Sequence, residues 1–115
     1  MLLPVILLDA KSDTTAGDPV PLNEFIQLLT LVTKKSSDLT NPAGDIPWVI
    51  EVSDSPAGPW AVFLNLSVAV ASAGEMIVGT VSGAPLGGFL PWVRARLTDA
   101  PDTGSVSIKA FAKAL

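Results

Sequence analysis

The chain contains no cysteine, no histidine and no tyrosine. Without cysteine there is no disulfide and no thiolate metal ligand, and cysteine usage says nothing about the redox compartment. Without histidine and tyrosine, the usual general base, the commonest metal ligand and the phenolic acid are all missing. Charge is scarce too: charged residues make up 16% of the 115 positions, where ordinary domains carry about 25%. Seven Lys+Arg against eleven Asp+Glu leave a formal charge of −4. That balance disfavours nucleic acid as a partner, because affinity there rests on neutralising phosphates with Lys and Arg. Only Lys34 with Lys35, and Arg94 with Arg96, bring cations together. No run reaches the ~20 apolar residues of a membrane span. Residues 1–8 are apolar but short and lack a basic start, so no signal peptide is expected and the product is expected to be made in the cytoplasm.

What the chain has in excess is hydrophobicity, with a mean hydropathy of +0.50. A chain of 115 residues is one domain, 1–115, and hides about 65% of the surface it exposes when unfolded. So apolar a sequence either packs a tight two-sheet core or leaves outer surface to be covered by other subunits. We expect the second, and with it a homo-oligomer.

The most informative stretch is 47–66, read P-W-V-I-E-V-S-D-S-P-A-G-P-W-A-V-F-L-N-L. Trp48, Ile50 and Val52 alternate with Val49, Glu51 and Ser53, the period of a strand. Residues 53–58, S-D-S-P-A-G, supply turn chemistry: short side chains that bond nearby backbone, a ring that fixes φ, and a glycine. Trp60, Val62 and Leu64 resume the alternation. The two runs predict a β-hairpin, with Trp48, Ile50, Val52, Trp60, Val62 and Leu64 as core anchors.

The remaining segments follow the same logic. Residues 2–8 form an apolar run interrupted by Pro4, so 1–10 is either an edge strand or an arm laid on a neighbour. On the second alternative Leu2, Leu3 and Val5 are interface residues. Residues 23–35 fit two periods. Phe25, Leu28, Leu29 and Val32 suit a helix, while the β-branched Thr30, Val32 and Thr33 favour a strand. A long polar loop occupies 36–46. Residues 66–71 continue or follow the hairpin, 75–81 is a strand, and 82–88 is a Gly-rich loop. In 89–98, Val93, Ala95 and Leu97 alternate against Trp92, Arg94 and Arg96. A turn at 99–104 leads into a last strand at 105–112. Seven to eight short strands, punctuated by ten prolines and nine glycines, predict an all-β antiparallel sandwich or jelly roll.

Catalytic constellations are hard to assemble. The serines have no histidine to activate them, and Lys11, Lys34, Lys35, Lys109 and Lys113 lie in loops or strands. Glu24, Glu51 and Glu75 are the only glutamates. Glu51 faces outward in the pleat, where Arg94 or Arg96 is its expected cross-strand partner. Asp9, Asp13 and Asp18, or Asp99 and Asp102, lack the spacing of a calcium loop and suit turns instead. No enzyme, cofactor or metal is expected. Trp92, Arg94 and Arg96 share one face, and Arg is enriched where proteins meet and binds carboxylates bidentately, so these three are expected interface residues. A sugar-stacking platform built from exposed Trp is the competing use of the same side chains.

Two stretches, 51–60 and 92–108, resemble a pattern in small β-sandwich structural proteins of tailed bacteriophages. There a strand ending near Ser-Asp runs through a Gly turn to Trp. A later aromatic-Val-Arg-x-Arg strand meets a Gly turn and a Ser/Val-rich final strand. Sugar-binding and discoidin-like sandwiches have similar spacing. The resemblance implies a non-enzymatic virion protein, a capsid cement or decoration protein. Its implied partners are the major capsid protein and further copies of itself, in a threefold arrangement. The alternatives are a carbohydrate-binding or host-adhesion module, or a tail or neck component.

Overall fold

The computed structural model describes residues 2–21, 25–42, 44–68, 75–80 and 91–114. Among them run eight strands: β1 (Leu2–Lys11), β2 (Val20–Pro21), β3 (Phe25–Lys35), β4 (Ile46–Ser53), β5 (Ala61–Val68), β6 (Glu75–Thr80), β7 (Trp92–Leu97) and β8 (Val106–Ala114). They form two four-stranded sheets, ordered β1-β8-β3-β6 and β2-β7-β4-β5. Every pairing is antiparallel. The chain is therefore an all-β sandwich, and the segment that fitted both periods, β3, is a strand held between β8 and β6. Its β-branched residues suit the pleat, and the two ladders fix it there. The expected loop at 82–88 and the segment 69–71 lie outside the described residues, as do the side chains of Leu2 and Leu3.

β1 takes the edge of the first sheet, with Pro4 opposite Phe111 of β8. An edge is where proline is tolerated, since only one side of the strand has to donate to a ladder. Its register slips between Ile6 and Leu8. The slip makes Leu7 an extra residue and lets both Leu7 and Leu8 turn inward. Val5, expected at an interface, is 6% exposed and belongs to the chain's own core.

The core lies between the sheets. The first contributes Val5, Leu7, Leu8, Leu31, Val106, Ile108 and Ala110; the second contributes Ile46, Trp48, Ile50, Val52, Val68, Val93, Ala95 and Leu97. Trp48 is its largest fully buried side chain, and its Nε1 finds no acceptor among the described residues.

Two glycines hold loops where a side chain would not fit. Gly17 donates its N–H to the Ala95 carbonyl of β7 at 2.9 Å. A Cβ there would fall 1.8 Å from the Leu7 carbonyl oxygen of β1. Gly104, at φ +87°, would drive a Cβ to 2.7 Å from the Leu39 Cα. It closes the turn that ties the 36–46 loop to β8: Thr40 and Thr103 share a hydroxyl contact of 2.7 Å, and the Ser105 N–H donates to the Ser36 Oγ at 2.9 Å.

Candidate interaction face

β4 is the inner strand of the second sheet, with β7 on one side and β5 on the other. Its inward side carries Ile46, Trp48, Ile50 and Val52. Its outward side carries Val49, Glu51 and Ser53, and these are buried as well, so something covers the outside of the sheet. Register identifies part of the cover. Val49 faces Arg96, Glu51 faces Arg94, and Ser53 faces Trp92. β7 alternates strictly between half-buried and buried, with Trp92, Arg94 and Arg96 outward and Val93, Ala95 and Leu97 inward. Long arginine side chains laid across their neighbours hide the apolar and polar groups beneath them.

The three charges form one unit. Arg94 Nε donates to Glu51 Oε1 at 3.0 Å, and Arg96 Nε donates to the same oxygen at 3.3 Å. Arg96 Nη2 also donates to Glu51 Oε2, at 3.5 Å. Glu51 is the ion-pair partner of both arginines. Its side chain is 7% exposed, against 23% for Arg94 and 31% for Arg96. One carboxylate thus locates two guanidiniums, and the group keeps a net positive charge on an otherwise acidic chain. Charge-assisted bonds of this kind are roughly twice as strong as neutral ones.

Trp60 completes the unit. The Arg94 guanidinium carbon sits 4.2 Å from the centre of its ring. That distance is well inside the about 6 Å range of cation–π attraction. Trp60 is half-buried on this outer face and does not join Trp48 in the core. The reason is local. The β4–β5 register slips between Ile50, which faces Leu64, and Glu51, which faces Val62, leaving Phe63 as an extra residue. A bulge of one residue reverses the side-chain period beyond it. Leu64 and Leu66 pack partly against the core, whereas Val62 turns out and is 51% exposed. The expected inward alternation of Trp60, Val62 and Leu64 therefore holds only for Leu64.

The turn that delivers Trp60 uses the predicted chemistry. The Ser55 N–H donates to Ser53 Oγ at 3.1 Å, the Ala57 N–H to Ser55 Oγ at 3.2 Å, and the Gly58 N–H to the Ser55 carbonyl at 3.1 Å. The resulting face carries Trp92, Arg94, Arg96, Trp60 and Val62, with Phe63 beside them at 40% exposure. Sequence reasoning finds the arginines and Glu51 but not Val62 or the outward Trp60, because no residue type in A-V-F-L announces the bulge. Val5 belongs to the other sheet and takes no part in this face, and β1 as a whole is a strand of that other sheet.

Among the described residues, no group of His, Cys, Asp and Glu could hold a metal ion, and no helix is long and apolar enough to cross a membrane. Asp13 sits in a turn, where its carboxylate accepts the Thr15 N–H at 2.9 Å, and that bond holds its pKa below the usual value. No protein-family profile matches the chain, and no curated protein matches it. The fold is similar to the crystal structure of the SPBc2 prophage-derived protein YomS, with a TM-score of 0.59 and 13% identity, over 97% of this chain and 92% of that one.

Proposed function

We propose that the protein is a non-enzymatic structural component of a bacteriophage particle, a cement or decoration protein that braces contacts between major capsid subunits. The observation that carries this reading is the sandwich shared with a prophage-derived protein along nearly the whole of both chains. The face on the second sheet supports it. Arg94 and Arg96 are already immobilised by Glu51 and Trp60, so docking would order few further rotamers. Val62 and the rim of Phe63 add apolar surface beside fixed charge, the mixture found where proteins meet.

The mechanism is linkage. A protein that binds the assembled shell and not its free subunits stabilises the assembly by mass action. No chemistry is required of it, and the arginine face suits an acidic surface on the neighbouring subunit.

The test is to purify particles made in cells that carry the gene, separate heads from tails, and quantify the protein in each by mass spectrometry. It is expected in heads at a fixed ratio to the major capsid protein, and Arg96→Glu is expected to abolish attachment. Recovery with tails would make it a tail or neck component. Absence from particles, together with quenching of Trp fluorescence by glycans, would replace this reading with an adhesion module.

A further inference from the structure

Charge is unevenly placed along this chain. The loop between β3 and β4, residues 36–45, and the loop between β7 and β8, residues 98–105, carry Asp38, Asp45, Asp99 and Asp102 and no Lys or Arg. Outside them seven acids meet seven Lys and Arg, so these two loops account for the whole formal charge of −4. All four aspartates are exposed, and none is ion-paired with a described residue. The two loops are fastened to each other at one end of the sandwich. The Thr40 N–H donates to the Thr103 carbonyl at 3.1 Å, the Asp102 N–H to the Thr40 carbonyl at 2.8 Å, and the Thr103 hydroxyl to the Asp38 carbonyl at 2.6 Å.

The opposite charge is concentrated on the outer face of the second sheet. Arg94 reaches Glu51 through Nε alone, and Arg96 through Nε and Nη2. A guanidinium has more N–H groups than that, set in a fork that matches a carboxylate. Both arginines keep part of their side chain in solvent, and the Trp60 ring lies against Arg94. Glu51 cancels one of the two positive charges, so the cluster has room, donors and charge for a further carboxylate.

We infer that the acidic end of one copy of this chain docks on the arginine face of a second copy. The occupant of the face has to bring carboxylates, and the chain itself presents four of them on two fastened loops. Two copies that meet at random repel, because each is negative overall. The approach that sets the loops over the arginines is attractive, so charge selects that orientation. Little has to be ordered on either side: hydrogen bonds hold the loops, and Glu51 and Trp60 hold the guanidiniums. Val62, exposed on the same face, adds apolar surface to the contact. The inference rests on the reading of this face as a docking surface and names its partner: the neighbour with the acidic surface is another copy of this chain.

Sedimentation equilibrium of the purified full chain, in the absence of shells, tests it. The expected result is a mass that rises above 11.9 kDa with concentration. The association should weaken at least about tenfold between about 0.1 M and about 1 M salt, as the screening length falls from about 10 Å to about 3 Å. Two variants remove one side each. Asp38→Asn, Asp45→Asn, Asp99→Asn and Asp102→Asn together neutralise the acidic end; Glu51→Gln, Arg94→Gln and Arg96→Gln together neutralise the face. Each is expected to stay monomeric alone, and an equimolar mixture is expected to pair, because the first keeps the face and the second keeps the loops. If the face variant fails to fold, the salt dependence and the aspartate variant decide without it. A natural chain that is monomeric at every concentration would overturn the inference. So would self-association indifferent to the four aspartates, or folded variants that stay apart when mixed. A monomer that still attaches to heads through Arg96 would overturn this inference and leave the particle reading standing; self-association by a chain absent from particles would do the reverse.

Discussion

β4 has two neighbours in its sheet, and they teach different things. Against β7 the register runs without a break from Trp48–Leu97 to Ser53–Trp92, and six consecutive residues of β7 alternate faces. Against β5 the register slips at Phe63, and the residues before it reverse their facing. The sequences on the two sides look equally regular. An uninterrupted ladder transmits the period of its pattern to the structure; a ladder with one extra residue transmits it only up to the bulge. The regular side builds the ion cluster, and the bulged side brings Trp60 round to meet it.

The sharpest way to break this contrast is to truncate a residue on each side of the bulge. Ile50 is fully buried, and Ile50→Ala is expected to cost about 2–5 kcal/mol of stability in urea titration. Val62 stands across from Glu51 and is half-exposed, so Val62→Ala should stay within about 0.5 kcal/mol. Equal losses at the two sites would mean that Val62 points inward and that the bulge is misplaced.

A middle-sized effect belongs to the regular side. Glu51→Gln keeps the shape but removes the charge shared by Arg94 and Arg96. The arginines are a quarter to a third exposed, and solvent softens the loss, so about 1–2 kcal/mol is expected by thermal or chemical unfolding. The loss should shrink when Arg94 and Arg96 are both already replaced by Gln, because a double-mutant cycle isolates the shared term.

The smallest effect lies far from both ladders. The Asp13 pKa is depressed by the Thr15 N–H. Its contribution is present above the ordinary carboxylate pKa and fades as pH falls through the lower, folded value. Asp13→Asn should therefore flatten the acid limb of melting temperature against pH slightly, and leave the neutral limb unchanged.

Much of this was legible before any coordinates. Trp48, Ile50 and Val52 on one side, and Trp92, Arg94 and Arg96 on another, follow from alternation alone. So does Glu51 as the partner of the arginines, although its burial does not. Burial of an outward carboxylate depends on two long side chains from the next strand, and only register shows how they lie. β3 fitted two periods because apolar residues on both faces of a strand blur the pattern. The bulges at Leu7 and Phe63 leave no compositional trace, since each extra residue is an ordinary hydrophobe.

The loop before β2 has its own bearing on how the two layers are held together. At Gly17 a main-chain amide is tied to β7 while a β1 carbonyl crowds the place of its absent Cβ. The gap between the layers there is gauged by peptide planes in direct contact. Hydrophobes elsewhere in the interior can be exchanged for others of like volume, but at this point the only adjustable part is the main chain itself. Exchange of like-sized hydrophobes should therefore be tolerated in the interior more readily than any side chain at that residue.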